Sequence, residues 1–550
     1  MKPGNELLFL ALGGSGEIGM NVNLYGCNGK WLMVDLGMTF ADPYYPGIDL
    51  VFADLDFIEE RQKDLLGVVL THAHEDHIGA VPYFAADLGV PLYATPFTAR
   101  LVAEKLREAG IADEVELNVI PNEGAFSLGP FDLRYVPLAH SIAEGNALLI
   151  DTPHGRVFHT GDWKLDDEPR IGTPATEEEL TAIGNEDVLA LVCDSTNVFN
   201  PKPSGSEGEV RAGLLEAVAN LAGRRVLVTT FASNVARLQT LAEVAQATNR
   251  QVCVAGRSLD RIIAVSKASG YLRDFPETIS FDQAMDLPRG EVLILATGGQ
   301  GEPRAALSRI TSDQHPIRLE KGDAVLFSSR QIPGNELAIG RIQNALAAKG
   351  VEIITDRQSM IHVSGHPGRP ELVTLYDWLK PDILVPVHGE IRHMAEQARL
   401  GKEEGIARTI VQKNGDLVRL APNGPAKISE VRAGRLVLDG DIIVPADGEG
   451  VVARRKLAHN GLVTVAVAVS RDGKVTSDVE VASIGLPLDE DMNDFMAEAQ
   501  ADVEQAVAGL KGDRKRDRLA VSEAIRLAAR RAAQRWSGKK PVVQVLLREG

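Results

Sequence analysis

Cysteine is scarce in this 550-residue chain: Cys27, Cys193 and Cys253 stand far apart and are odd in number. That excludes a disulfide framework and a thiolate zinc cluster, so any transition metal must be held by His, Asp and Glu. Long hydrophobic runs are also missing. No stretch of about 18 or more apolar residues occurs, so no transmembrane helix is expected. The start, MKPGNELLFLALGGSGEIG, has too short an apolar stretch and no small-residue cleavage site for a signal peptide. The expectation is a soluble cytoplasmic protein with no membrane partner. Positive charge is short as well, with 58 Lys and Arg against 76 Asp and Glu and a net charge of −18. Such a surface repels polyanions on average and suits a small-molecule substrate, but leaves room for a local basic channel. Tandem repeats and low-complexity tracts are absent.

What is present argues for ordered domains. Hydrophobic residues make up 44% and charged residues 24%, which excludes a disordered or fibrous chain, and the length suggests about three or four domains. The charge deficit reverses near the C-terminus: between Lys511 and Lys540 eleven basic residues face only Asp513, Asp517 and Glu523. Such a run is either a solvated helix face or a guide for an anionic partner.

Short β-branched runs dominate the first 200 residues, with strands expected at Leu7 to Leu12, Trp31 to Leu36, Val68 to Thr71 and Phe131 to Val136. From Glu209 strand and helix alternate: Arg225 to Thr230, Val252 to Ala255, Val292 to Ala296 and Ala324 to Phe327 read as buried parallel strands. Asp382 to Val387 then resembles the first sheet again. The spacing predicts a first domain in two parts, residues 1–208 and 354–453, interrupted by an α/β insertion over 209–353. A small α+β domain over 463–550 follows, with apolar stripes at Ala499, Val503, Ala506 and Leu510 and at Val521, Ile525, Ala528 and Ala532, and a closing strand at Val542 to Leu547.

The strongest motif is Thr71-His72-Ala73-His74-Glu75-Asp76-His77, directly after an apolar strand. His72 and His74, two apart, point to one side of an extended strand end, and the following turn brings Asp76 and His77 to the same space. Neutral nitrogen and anionic oxygen in this density suit Zn²⁺; a polar surface turn is the bland alternative. His140, Asp162 and His388 each follow an apolar strand, where open α/β sheets place their sites. Singly each would be structural; with the cluster they complete two sites, Asp162 bridging them.

With these residues in view the chain resembles the metallo-β-lactamase superfamily and its β-CASP nuclease branch. Asp35, the His72 to His77 signature, His140 and Asp162 match the superfamily positions; Asp194, His366 in His362-Val363-Ser364-Gly365-His366, and His388 match the branch markers. Gly13 to Gly19, Thr297 to Pro303 and Ser328 to Asn335 narrow the likeness to the bacterial ribonuclease J family, over about Leu7 to Ala453. The resemblance implies an αββα sandwich with an inserted parallel-sheet domain and a small C-terminal domain. It implies two zinc ions, one on His72, His74, His140 and Asp162 and the other on Asp76, His77, Asp162 and His388, with Mn²⁺ or Mg²⁺ able to substitute or assist. Gly299 beside Gly298 departs from the bulkier residue expected in relatives, and is expected to matter little because the backbone turns there.

The implied activity is 5′ to 3′ exonucleolysis of 5′-monophosphorylated single-stranded RNA in RNA maturation and decay, including rRNA processing and mRNA decay, with endonucleolytic cleavage as a second mode. Asp76 would serve the metal site, and His366 would protonate the leaving oxygen. Asp194 would orient a ligand imidazole; an ordinary helix N-cap or turn Asp is the lesser alternative. Phe231 to Val235, with Ser233, Asn234 and Val235, and His362, Val363, Ser364, Gly365 and His366 would hold the 5′ nucleotide, although Ser233 and Asn234 also read as plain helix caps. A structural Ca²⁺ between Pro46 to Ile48 and Asp441 is implied in some relatives, while a turn Asp is equally expected there. His154, His159, His315, His393 and His459 read as structural or surface residues. The implied partners are RNA, a second or further copies in a homodimer or homotetramer, and an RNA-degradation complex. A DNA-directed nuclease of the same branch, a small-molecule ester or lactone hydrolase and a non-catalytic metal scaffold are the rival readings.

Overall fold

The computed structural model describes residues 4–332, 334–471 and 474–550. The first three residues of the N-terminal stretch and Pro333 of the Ser328 to Asn335 motif lie outside the described residues. The chain forms two compact units, one of residues 4–39 and 52–434, the other of residues 40–51 and 435–550.

Two sheets make the body of the first unit. One has eight strands in the order Ala426–Glu430, Asp416–Ala421, Leu7–Gly13, Val22–Cys27, Lys30–Val34, Leu65–Val69, Leu92–Ala94 and Leu117–Val119. The other has seven, in the order Ala125–Leu128, Phe131–Pro137, Asn146–Thr152, Gly155–His159, Val188–Asp194, Ile383–Val387 and Arg408–Thr409. Their inner faces meet through Phe9, Tyr25 and Val34 on one side and Phe131, Tyr135, Ile150, Val192 and Val385 on the other. Phe131–Pro137 shows the cause, since its first residues alternate buried and exposed as a sheet with one dry face requires. Helices Glu177–Gly184, Arg369–Leu379 and Ile391–Glu403 cover the outer face of the second sheet with Leu180, Ile183, Leu372, Leu375 and Leu400. Helix Pro96–Ala109 runs against strands Leu92–Ala94 and Leu117–Val119 of the first.

Val188–Asp194 and Ile383–Val387 are parallel neighbours, with Asp194 opposite Val387. Everything between them is therefore an excursion from one sheet. It opens with a capping box, Ser206 with Glu209, that starts helix Glu207–Ala219. It then forms a five-stranded parallel sheet in the order Gln251–Ala255, Val292–Ala296, Val226–Thr229, Ala324–Phe327 and Glu352–Ile354. These strands are almost wholly apolar because helices bury both faces. The glycine at 299 has a local reason in this chain. A Cβ on Gly299 would lie 2.5 Å from Ser329 Oγ and 3.2 Å from Thr229 Oγ1, inside the packed strand ends.

The second unit has a hairpin, Arg435–Asp439 with Ile442–Pro445, helix Glu449–Asn460, and a three-stranded sheet in the order Glu480–Ile484, Leu462–Val469, Val542–Glu549. Leu462–Val469 alternates strictly, and its inward residues pack on helices Met492–Ala508 and Arg518–Ser537 through Phe495, Val503, Ile525 and Ala529. The continuous part of this unit runs from residue 435, and residues 40–51 also belong to it. Residues 449–453 are helical instead of continuing the β-rich tract; helix Glu449–Asn460 fully buries only Val451, so it carries no apolar stripe to betray it.

Candidate metal centre

Strands of both sheets end at one place. Leu65–Val69 leads into Thr71 to His74, Phe131–Pro137 into His140, Gly155–His159 into Asp162, and Ile383–Val387 into His388. After His74 a single-turn helix, Glu75–Ile78, carries Asp76 and His77 back to the same side. His388 has φ 51° and Asp35 φ 65°, left-handed conformations that non-glycine residues adopt at a cost and that concentrate at functional sites. His388 is held there by its N–H donating to Gly14 O at 2.6 Å and by Thr196 Oγ1 donating to its carbonyl at 2.9 Å. The loop of Gly14 thus sets a candidate ligand from a distant part of the sequence.

Among the described residues two overlapping tetrads match the sequence expectation, His72, His74, His140 and Asp162, and Asp76, His77, Asp162 and His388; a third group, Asp162, Asp194, His366 and His388, overlaps them, and in each the candidate ligand atoms lie within 4.8 Å of one another. In the first, Nε2 of His72 and Nε2 of His140 lie 3.2 and 3.0 Å from Nδ1 of His74. The two oxygens of Asp162 divide between the tetrads. Oδ2 faces His72 and His140 at 3.8 and 3.7 Å, and Oδ1 faces His77 and His388 at 3.3 and 3.0 Å. His388 Nε2 reaches Asp76 Oδ2 at 3.1 Å.

The electrostatics suit cation ligation. Burial pushes His74 down to about 4 and His140 down to about 3, and it drives His72 well below the usual range, with neighbouring imidazoles adding to the effect. These rings are neutral, the form that offers a lone pair. Burial opposes the charged forms of His77 and His388, yet Asp162 and the other nearby carboxylates outweigh it and raise both. Asp162 is likewise held well below the usual carboxylate range by His388 and His77 despite its burial. Its buried Oδ1 still makes no aligned hydrogen bond. Three neutral imidazoles and a carboxylate in the first tetrad, and two imidazoles and two carboxylates in the second, where a cation would replace the protons that the carboxylates favour on His77 and His388, are donor sets that fit a divalent ion.

A further layer fixes the ligands. His77 Nδ1 donates to Asp35 Oδ2 at 2.7 Å, and Thr71 donates to both Asp35 oxygens. His140 Nδ1 donates to the Gly365 carbonyl at 2.6 Å, and Ser233 Oγ lies 3.1 Å from His74 Nε2. Such partners set tautomer and ring angle. Asp194 Oδ2 pairs with His366 Nδ1 at 2.7 Å, and its Oδ1 accepts the Thr196 N–H at 2.8 Å. It is thus both an orienting carboxylate and a turn Asp. Against burial, Asp194 and Asp162 raise His366. Asn197 Nδ2 donates to the His366 carbonyl at 3.3 Å, and Ser364 Oγ accepts the His366 N–H at 3.0 Å. Gly365 is required where it stands, because a Cβ would meet Ser141 Oγ at 2.8 Å and the His140 ring at 3.0 Å.

Other expected residues fare differently. The Asn234 side chain caps helix Val235–Ala247 by accepting the Arg237 N–H at 2.9 Å, so it is engaged within its own helix. Val235 is buried, and His362 keeps a buried Nδ1 without a partner. Asp441 is exposed and joins neither tetrad. The guanidinium of Arg454 donates to the Pro46 carbonyl at 3.4 Å and to Asp439 at 3.0 and 2.6 Å, so a fixed side-chain cation takes the carbonyl expected for calcium. His159 is buried against Tyr25 Oη at 2.9 Å and lies outside the tetrads. Thr71 stood in the strongest motif without a role, and Thr196 and Asn197 had none either, because polar residues next to candidate ligands carry no spacing signal of their own. Arg237 escaped the sequence reading. It is wholly buried, pairs with Glu207 at 3.0 Å, and donates to Ser328 O at 2.9 Å and Ile361 O at 3.0 Å. It thereby ties the insertion to the loop that ends in His366.

Comparison with known proteins agrees with this layout. The family described as "Metallo-beta-lactamase superfamily" matches residues 18–186, "Ribonuclease J, beta-CASP domain" residues 223–346, "Zn-dependent metallo-hydrolase RNA specificity domain" residues 350–411, and "Ribonuclease J C-terminal domain" residues 450–550. Ribonuclease J of Sinorhizobium meliloti is 42% identical, with 100% of this chain and 98% of that protein covered. Ribonuclease J of Mycolicibacterium smegmatis is 34% identical over 98% and 96%, and that of Thermus thermophilus 34% over 88% and 85%. A crystal structure of a protein of unknown function from Enterococcus faecalis V583 shares the fold with a TM-score of 0.53, at 17% identity, over 75% of this chain and 100% of that one. Among the described residues no helix is long and apolar enough to cross a membrane. With a metallo-β-lactamase sandwich, a β-CASP insertion, a matching C-terminal domain and a relative alike over its whole length, the chain belongs to the ribonuclease J family of metal-dependent nucleases.

Proposed function

We propose that the protein is a zinc-dependent ribonuclease that degrades single-stranded RNA 5′ to 3′ from 5′-monophosphorylated ends, with internal cleavage as a second mode. The observation that carries this reading is the pairing of two complete tetrads with a raised His366 held by Asp194 at 2.7 Å. Neutral imidazoles and carboxylates favour zinc, and bound ions of that kind supply Lewis acidity at the phosphoryl oxygens and lower the pKa of water.

The chain's own residues do the rest. Asp162, through opposed oxygens, holds the two tetrads at a fixed separation, and Asp35 and Gly365 keep His77 and His140 in the ligating tautomer. Asp194 accepts the Nδ1 proton of His366, so its Nε2 carries the second proton and is the group that protonates the leaving 3′ oxygen. Ser233, close to His74, with the Ser364 to His366 loop that abuts His140, forms the end-recognition pocket for a single 5′ phosphate. A pocket built for one phosphate has no room or charge for two more, which disfavours the triphosphate end.

The RNA-directed names of the matching family descriptions and relatives support an RNA substrate over DNA or a small ester. In the cell we assign it to rRNA maturation and mRNA decay in the cytoplasm, alone or within an RNA-degradation complex. The C-terminal unit is the candidate for self-association into dimers or tetramers. Its basic run is partly neutralised within the unit, Arg535 pairing with Glu498 and Asp502 and Arg526 with Glu523, which leaves RNA capture as its secondary role. The deciding experiment compares matched RNA and DNA oligomers carrying 5′ monophosphate, triphosphate or hydroxyl, with and without chelator. Chelator-sensitive release of mononucleotides from 5′-monophosphorylated RNA is expected; equal rates on RNA and DNA, or on all three ends, would overturn the reading.

A further inference from the structure

In the inserted parallel sheet the chain leaves strand Val226–Thr229 toward Gln251–Ala255 on one side. It leaves the adjacent strand Ala324–Phe327 toward Glu352–Ile354 on the other. The crevice beyond the carboxyl ends of two such strands is where open α/β sheets bind ligands. A cavity of about 110 Å³ lies there, walled by Thr230, Phe231, Ser258, Thr297, Gln300 and Ser329, room for several waters or one phosphate group.

The chemistry of its wall is specific. Thr230 and Ser329 are 3% and 7% exposed, and their hydroxyls have no partner; nor has that of Thr229 beside them. Buried hydroxyls are seldom left unpaired unless a ligand or water completes them. Among the described residues the N–H groups of Gly298 and Gly299 meet no protein acceptor. Gly298 has φ 115°, and a Cβ there would lie 2.9 Å from Leu307 Cβ, while one on Gly299 would lie 2.5 Å from Ser329 Oγ. Two glycines thus bare the backbone at the point where the hydroxyls converge. Ser258 stands in the first turn of the twelve-residue helix Arg257–Ala268, whose positive end faces the same space. The one carboxylate on the wall, Glu302, is exposed at the rim, and its Oε2 accepts the Gln300 N–H at 3.1 Å. Donors that can turn to an acceptor, free N–H groups and a helix N-terminus, with no buried acid, select an oxyanion.

We propose that this crevice of the insertion is a phosphate-binding site, separate from the Ser233 and Ser364 to His366 pocket and not dependent on the nuclease reading. The phosphate belongs either to the RNA strand or to a free phosphate or nucleotide, and the test separates the two. Full-length protein, stripped of metal, is titrated with inorganic phosphate by calorimetry and with a 5′-hydroxyl single-stranded RNA 10-mer by fluorescence anisotropy. The variants are Gly299→Ala, which pushes a methyl group onto Ser329 Oγ, and Thr230→Val with Ser329→Ala, which removes two donors. Hydrogen bonds to a charged group are strong enough that each variant should weaken phosphate binding about tenfold or more. Circular dichroism should be unchanged; if the double variant fails to fold, Gly299→Ala alone decides. A matching loss with the 5′-hydroxyl RNA assigns the site to a strand phosphate, and a loss with inorganic phosphate only assigns it to a free anion. No saturable phosphate binding in the unsubstituted protein, or equal affinity in Gly299→Ala, overturns the proposal. An enzyme indifferent to its 5′ end could still pass, so this inference and the proposed end preference fail separately.

Discussion

Replacing Arg237 with methionine leaves the Glu207 carboxylate, 4% exposed, buried without its cation, since Arg237 itself is 0% exposed. Three guanidinium contacts to Glu207 are lost, at 3.0 to 3.2 Å, together with those to the Ser328 and Ile361 carbonyls. Breaking a buried pair on one side costs about 3–5 kcal/mol, most of it the stranded charge. Arg237→Lys keeps a cation, but one amine cannot span Glu207, Ser328 and Ile361 together, so an intermediate loss of about 1–3 kcal/mol is expected. The double variant Arg237→Met, Glu207→Leu has no buried charge left and should recover at least half of the single variant's loss, a coupling of about 2 kcal/mol. Hydrogen exchange over helix Val235–Ala247 measures the local opening free energy directly. Ile361 anchors the loop ending in His366, so 5′-end preference should fall with the single variant and return in part with the double. A single variant that costs less than about 1 kcal/mol, or a double variant no better than the single, would refute the claim that a compensated buried charge organises this region.

Asp76→Ala and His388→Ala should each lower cleavage by orders of magnitude with circular dichroism unchanged, since each removes a ligand from the second tetrad; near-normal turnover would exclude a two-ion mechanism. Ser364→Ala should reduce discrimination between monophosphate and triphosphate ends more than it reduces the maximal rate, which paired initial-rate measurements would show. Phe495→Ala, at a position 0% exposed in the C-terminal unit, should destabilise that unit by about 3–5 kcal/mol in denaturant while leaving hydrolysis of short oligomers at the metal site intact. A chain ending at Gly461 lacks the strand Val542–Glu549 and its partners and should sediment as a smaller species; an unchanged subunit number by light scattering would remove self-association from that unit.

The candidate ligands that the fold gathers into the tetrads, and most strands, could be read from the sequence. His72 to His77, His140, Asp162 and His388 were legible because ligation fixes residue type and because each follows an apolar run. Val292–Ala296 and Ala324–Phe327 were legible because strands buried on both faces must be continuously apolar. Tertiary structure alone decided which groups meet across the chain. Nothing local says that Asp162 divides its oxygens between two tetrads, that Gly14 holds His388, or that Arg237 reaches the carbonyl of Ile361. Nor does it say that Asn234 spends its side-chain oxygen on its own helix, or that Arg454 donates to the Pro46 carbonyl. Those outcomes depend on through-space distance and on competition between partners for the same lone pair, and neither quantity is written in the order of residues. Composition and periodicity record what each segment buries, whereas pairing is settled only when separate segments pack together and each buried polar atom takes the partner within its reach.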